Sequence, residues 1–434
     1  MTCLRLYVLL LLVAVVRSRE CSDPIVKVAN GEILGKQRIS TNGRNFVSFL
    51  GVPYASPPIG KYRFKEPQPM QPWSGLWNAT RLPPGCLQFD PSIDKITGLF
   101  HRGIAFSGAA FTSWAHSIKP VQKAKELASL VGCDTTNSRD MAECLRSRPG
   151  EMIVNAQIEM FDYRVKWFNV FAPTAEDPNT KNPFLTQHPY TASQAGEMQR
   201  LPLIASVTSE EGLYPAAAYQ KEPTILPELE ARWEELASNI FEFNETLPIS
   251  MRTSVANRIK EKYLDGRPVS QKTFDELVQA LGDRLFTADV GKLAQIHATQ
   301  SRQPTYSYRF SYSWQYSFSN VMARNYENYG VCHSDDVILV LKYLPTETTC
   351  AEDLQMREAL LDMICSYAET GVPKLPNAPK WMKVKPGQEE LSYMEIAGPS
   401  DIKMKSSADF GKKTFWDSLG FNEDDDFNGI YDEF

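Results

Sequence analysis

Two short clusters in this 434-residue chain carry groups suited to proton transfer. Val207-Thr208-Ser209-Glu210-Glu211-Gly212 places carboxylates directly after an apolar run. Gly330-Val331-Cys332-His333-Ser334-Asp335-Asp336 places an imidazole among turn-forming and acidic residues. An imidazole titrates near neutral pH, so it can take a proton from a hydroxyl and return it to a leaving group. A carboxylate bonded to the same ring holds its tautomer and stabilises the imidazolium. The third member of such a set is a serine on a strained Gly-x-Ser-x-Gly elbow, and the sequence contains none. It contains no Gly-Gly pair either, so a glycine-rich oxyanion loop is not visible.

Each of these residues also has a plainer reading. His333 is one of five histidines, with His101, His116, His188 and His297, and a histidine beside acids is most often structural. An acid between a strand and a glycine is most often a turn residue. Glu210 competes with Glu211 for the acidic role, and the Glu-Gly pair favours Glu211. Ser107 in Phe106-Ser107-Gly108 looks like half an elbow, but Ala105 and Ala109 stand where the strain-relieving glycines belong. Ser209 and Ser334 read as solvated turn hydroxyls.

The elements that must position these groups follow from apolar spacing. Ile25 to Ile33 alternates as a strand. Asn42-Gly43 reads as a hairpin turn, and Phe46 to Leu50 as the next strand. From Pro53 to Pro72 the chain is too proline-rich for a helix or a central strand. It reads as an ordered loop anchored by Tyr54, Phe64 and Trp73. Gly103 to Gly108 and Leu201 to Val207 read as buried strands, and Thr305 to Tyr312 as an alternating one. Helical spacing covers Val121 to Val131, Ser138 to Leu145, most of residues 226–302, and Leu354 to Tyr367. Val337 to Leu341 is a short buried run of either kind. This order of strands and helices favours a mixed α/β sheet flanked by helices. Glu211 then lies past a strand's C-terminal end, where α/β folds place functional groups.

The whole chain sets the compartment. The sequence is 43% hydrophobic and 23% charged, as for a globular protein, and its net charge of -6 argues against a nucleic-acid partner. Arg5 and the ten-residue apolar run Tyr7 to Val16 read as a signal peptide over residues 1–18, too short to span a bilayer. Val16 and Ser18 suit a cleavage site before Arg19, so the expected mature protein is secreted, with no membrane anchor. In that oxidising compartment Cys133 and Cys144, bracketing a short polar segment, predict a local disulfide. Cys3 leaves with the signal peptide, so an odd number of cysteines remains and at least one lacks an intrachain partner. The pairing of Cys21, Cys86, Cys332, Cys350 and Cys365 stays open. Sequons at Asn78 and Asn244 predict glycans. Residues 423–434 open with four acids in the run Glu423 to Asp426 and read as an acidic tail.

A series of motifs in one order then carries a resemblance. It runs through Phe49-Leu50-Gly51-Val52-Pro53-Tyr54-Ala55, Pro57-Pro58, Arg63-Phe64, and Pro84-Gly85-Cys86. It continues through Leu99-Phe100-His101-Arg102-Gly103, Glu211-Gly212, Tyr306-Ser307-Tyr308-Arg309-Phe310, Gly330-Val331-Cys332-His333 and Phe415-Trp416. Together these resemble the carboxylesterase/cholinesterase family of α/β hydrolases, in the style of insect esterases. The resemblance implies an α/β-hydrolase mixed sheet over residues 19–422. It implies a small carboxylic ester as substrate, no cofactor and no metal. Glu211 and His333 are the acid and base it implies, in the order Ser, Glu, His.

The same resemblance exposes a gap. Where the family has its oxyanion loop, several central strands and the serine elbow, Ile96-Thr97-Gly98 runs straight into Leu99-Phe100. The expected junction is near 98/99, and the loss is on the order of a hundred residues. Cys86 then loses its family partner, neighbouring strands lose a pairing edge, and ester hydrolysis loses its nucleophile. A second reading is a non-catalytic secreted binding or adhesion-type protein, since cholinesterase relatives without the serine act in adhesion. Those relatives keep the central sheet and a membrane anchor.

Overall fold

The computed structural model describes residues 23–40, 43–82, 101–161, 170–181, 183–341 and 348–421. The signal peptide, Cys21, Cys86, the 98/99 junction and the acidic tail lie outside them. Two compact units divide the chain, one of Met1–Phe89 with Thr136–Val154, the other of Asp90–Thr135 with Asn155–Phe434.

The first unit differs from the expected single strand over Ile25 to Ile33. Strand β1 (Ile25–Val28) turns back on β2 (Gly31–Leu34), and the pair is antiparallel. Gly31 follows the turn with φ of 152°, which only glycine adopts without strain. The hairpin at Gly43 exists, but it joins β3 (Lys36–Ile39) to β4 (Asn45–Ser48). Strand β5 (Leu76–Asn78) lies parallel to β2. The proline-rich loop is held by Trp73, whose indole donates to Glu32 O at 3.1 Å and packs on Trp77. Tyr54 and Phe64 are not anchors: they are 91% and 56% exposed, because the loop runs over the surface with its rings outward.

The second unit holds the main sheet. Its strands are β6 (Gly103–Phe106), β7 (Leu203–Thr208), β8 (Thr305–Phe310), β9 (Leu391–Gly398) and β10 (Asp401–Ser407). They are ordered β10-β9-β8-β7-β6. The pairs from β6 to β9 are parallel, and β10 closes the far side antiparallel. Alternation decides what each face packs against. Ile204, Tyr306, Tyr308 and Phe310 pack with Met356, Leu360 and Met363 of the helix Ala351–Thr370. Ala205 and Val207, on the opposite face, pack with Val290, Ala294 and Ala298 of the helix Ala288–Gln300. Helix Ala351–Thr370 stops at Gly371, whose φ of 75° suits a left-handed cap. The run at Val337 is helical, over Asp335–Val340.

Two expectations change in this unit. Strand β6 is half-buried along its length rather than buried. Among the described residues it pairs only with β7, so one edge has no strand partner. The β9–β10 hairpin has no counterpart among the expected strands. On β10, Lys403 and Lys405 alternate with Ile402 and Met404, the pattern of a strand with one solvated face. Both Cys133 and Cys144 are disulfide-bonded. Among the described residues, Cys332, Cys350 and Cys365 are free thiols.

Candidate active site

Strand β7 ends at Thr208, and the chain turns at once through Ser209, Glu210 and Glu211. Gly212 is required there. A side chain at this position would fall onto Val278 O and Gly282 N of the helix Phe274–Gly282. The close approach holds the turn against that helix and leaves Glu211 only 1% exposed. A buried carboxylate needs donors. Thr208 N–H donates to Glu211 Oε1 at 2.6 Å, and His333 Nδ1 lies 2.8 Å from Oε2.

The histidine turn is fastened to the acid turn by the residue beside the acid. Glu210 N–H donates to Val331 O at 3.1 Å, and Val331 N–H donates to Glu210 Oε2 at 2.7 Å. The Ser209 hydroxyl donates to the same oxygen at 2.6 Å. A parallel bridge pairs Glu210 with Cys332. The two neighbouring acids thus divide the work: Glu211 meets the imidazole, and Glu210 holds the loop that carries it. Ser334 then takes a left-handed backbone, φ 73°, before the helix Asp335–Val340 begins.

Two buried acids brace that helix start. Asp335 accepts from Cys332 N–H and Phe318 N–H, each at 2.8 Å. Asp336 accepts from the Tyr308 hydroxyl at 2.7 Å. Burial pushes the Asp335 carboxyl up to about 7 and Asp336 up to about 6. Burial also pushes the Cys332 thiol well up, so this buried cysteine is no thiolate nucleophile at neutral pH.

The imidazole itself lies between rings. Phe286 is 4.5 Å away centroid to centroid, tilted by 31°, and Tyr214 is 5.4 Å away. Phe286 projects from a π-helical turn, Asp283–Thr287, set between two α-helices. Such turns re-aim side chains without ending a helix. Trp114 fixes this one by donating to Leu285 O at 2.7 Å. The His333 side chain stays 21% exposed. With Nδ1 committed to Glu211, Nε2 is the nitrogen able to exchange a proton with a bound molecule.

The other candidates lie elsewhere. His116 and His188 pack edge to face with each other, both buried. His297 bonds Thr305 Oγ1 at 2.8 Å, and burial lowers its pKa to about 4. Ser107 follows β6 with φ of 51°, buried, its hydroxyl unbonded among the described residues. Asn78 is exposed, and its side-chain oxygen accepts from Thr80. The roles of Tyr214, Phe286 and Glu210 had no signal in the sequence, because ring packing and loop fastening depend on residues far apart in the chain.

A parallel sheet with an acid beyond β7 and a histidine beyond β8 defines an α/β hydrolase. The comparisons with known proteins agree. The model of the Carboxylesterase family matches residues 22–98 and 92–416, and the chain belongs to that family. A carboxylic ester hydrolase of Bombus ignitus is 27% identical over an alignment of 531 positions, covering 92% of this chain and 95% of the relative. Venom carboxylesterase-6 of Apis mellifera is 34% identical over 327 positions, covering 75% of this chain and 58% of the relative. Juvenile hormone esterase from Manduca sexta, solved with OTFP covalently attached, has the same fold. Its TM-score is 0.71 at 17% identity, covering 92% of this chain and 99% of that one.

Proposed function

We propose that this chain is a secreted carboxylesterase-family protein that keeps the acid and base of ester hydrolysis without the nucleophile. The observation that carries this reading is the 2.8 Å contact of His333 Nδ1 with Glu211 Oε2, in a sequence with no Gly-x-Ser-x-Gly elbow. In an uninterrupted form of the protein, a serine hydroxyl attacks the ester carbonyl while His333 Nε2 takes its proton. The imidazolium then protonates the departing alcohol, and water repeats the cycle on the acyl-enzyme. Glu211 holds the ring throughout. Removing the nucleophile from such a set lowers kcat about a million-fold.

Three observations support a missing internal block. The family match comes in two pieces that meet over residues 92–98, beside the 98/99 join. The Bombus ignitus alignment has 531 positions against 434 residues, so at least 97 positions lack a counterpart here. Strand β6, the first after the join, has one strand partner among the described residues. Secretion is supported by the Tyr7 to Val16 run, the sequons at Asn78 and Asn244, and the disulfide-bonded Cys133 and Cys144. Among the described residues no helix is long and apolar enough to cross a membrane.

A serine-directed fluorophosphonate probe tests the reading on the purified chain. The expected result is no labelling that depends on His333. Stoichiometric labelling that disappears in His333→Ala would show a working nucleophile and overturn the reading. For export, N-terminal sequencing of protein from the medium should begin at Arg19, and protein confined to the cytosol would contradict it.

A further inference from the structure

The β3–β4 ribbon of the first unit is bare on both faces. Every residue of β3 is exposed, and on β4 only Ser48 is half-buried. A two-stranded hairpin is marginal in water unless it covers a face. The register puts Lys36 and Arg38 on one face with Ser48 and Phe46. Gln37 and Ile39 share the other with Val47 and Asn45. Each face leaves apolar side chains in water: Phe46 at 44% exposure on the first, Ile39 at 71% and Val47 at 40% on the second. These lie toward the turn, which is closed by Arg44 N–H donating to Ser40 Oγ at 3.0 Å and Ser40 N–H donating to Arg44 O at 2.8 Å.

The ribbon's charge is the second observation. Residues 36–48 hold Lys36, Arg38 and Arg44 and no carboxylate, in a chain of net charge -6. Among the described residues none of the three cations is in an ion pair. Arg38 spends only Nε, on Ser48 Oγ at 2.7 Å. Unpaired cations attract an anionic surface. Exposed apolar residues beside them fit an apolar layer behind the anions. A second copy of the ribbon would set like charges against each other. A sulfated polysaccharide offers Ile39, Phe46 and Val47 no apolar layer. An anionic lipid surface satisfies both requirements.

We propose that the β3–β4 ribbon is a peripheral membrane-binding tip for anionic phospholipid. Ile39, Phe46 and Val47 enter the boundary between headgroups and acyl chains. Arg38 and Arg44 lay their stems along that layer and hold their guanidinium groups at the phosphates. Lys36, about 10 Å back along the strand from Ile39, meets the headgroup surface. The rest of the chain is net acidic, so the same surface repels it. The inference does not depend on ester hydrolysis, because neither Glu211 nor His333 takes part.

Vesicle co-flotation of the full chain at low salt tests this, with phosphatidylcholine alone and with about one-third phosphatidylserine. The chain should float with the mixed vesicles, stay behind with the neutral ones, and lose binding as salt rises. Arg38→Gln with Arg44→Gln should weaken binding roughly thirtyfold, about fivefold per cation. Ile39→Ser with Phe46→Ser should weaken it at least about tenfold, through lost apolar burial. All four positions are exposed, so the melting temperatures should match that of the unaltered chain. The single changes Arg38→Gln and Ile39→Ser should show smaller losses of the same kind, and they decide the matter should a double variant lose its melt. Lys403→Gln removes an exposed cation on β10 and should leave binding unchanged. No binding to mixed vesicles, equal binding to neutral ones, or full affinity in both arginine variants would overturn the proposal. So would an equal loss in Lys403→Gln, which would assign binding to net charge. Full affinity in both the single and the double serine variants, with heparin displacing the vesicles, would also overturn it, in favour of a polyanionic sugar.

Discussion

Strands β6 and β7 are hydrogen-bonded neighbours with very different surroundings. Ile204 on β7 is 0% exposed, while Ile104, its register partner on β6, is half-buried. Beyond β7 the chain enters a turn in which Thr208, Glu210, Glu211, Val331 and His333 bond one another. Beyond β6 it reaches Ser107, whose hydroxyl is unbonded among the described residues. The acid–base pair is held by hydrogen bonds that lie from β7 onward, with Trp114 bracing the π turn from the segment before it. On the proposed reading, the side that β6 borders is where a nucleophile would have to be supplied.

The largest effect expected on the β7 side is at Phe286, which is fully buried against His333. Phe286→Ala should cost about 3–5 kcal/mol in denaturant unfolding. A loss below about 1 kcal/mol would mean that the ring does not pack the site as described. The matched pair Ile204→Ala and Ile104→Ala measures the contrast directly. We expect about 3–4 kcal/mol for the first and roughly half that for the second. Equal losses would mean that β6 is as enclosed as β7, and the idea of an uncovered edge would fall.

A smaller effect tests the fastening of the histidine turn. Glu210→Gln keeps an acceptor for Val331 N–H but removes its charge, and should cost about 1–2 kcal/mol. A separate test of the same turn is the pH dependence from Asp335 and Asp336. Their folded pKa values, about 7 and about 6, lie above the unfolded carboxylate value of 3.8. The folded state therefore holds more protons than the unfolded state across that window. These two groups stabilise the fold below pH 4 and lose that contribution as pH rises through 6 and 7. In Asp336→Asn the pH dependence over this range should flatten, and an unchanged slope would remove Asp336 from the account.

Motif and periodicity made the frame of this molecule legible. Glu211 and His333 could be named because each sits in a short local pattern, and the helix Ala351–Thr370 because its apolar spacing runs for many turns. What escaped depends on long-range partners. The β1–β2 hairpin reverses at Ala29-Asn30, inside a run whose apolar residues continue on both sides of the turn and so read as one strand. The β9–β10 hairpin carries a strand signal that the expected elements left out, the alternation of Ile402, Lys403, Met404 and Lys405. Tyr54 and Phe64 were misplaced as anchors because aromatic character says nothing about which side of a loop faces inward. Glu210 looked like a rival to Glu211, and only the fold shows two adjacent acids serving one histidine turn in two different ways.

On the proposed reading, the base and its acid are in place with no hydroxyl to activate. Turnover of a chromogenic short-chain ester, measured side by side for the intact chain and for His333→Ala, tests it most directly. The same near-background rate is expected for both. Robust turnover by the intact chain that collapses in His333→Ala would contradict it.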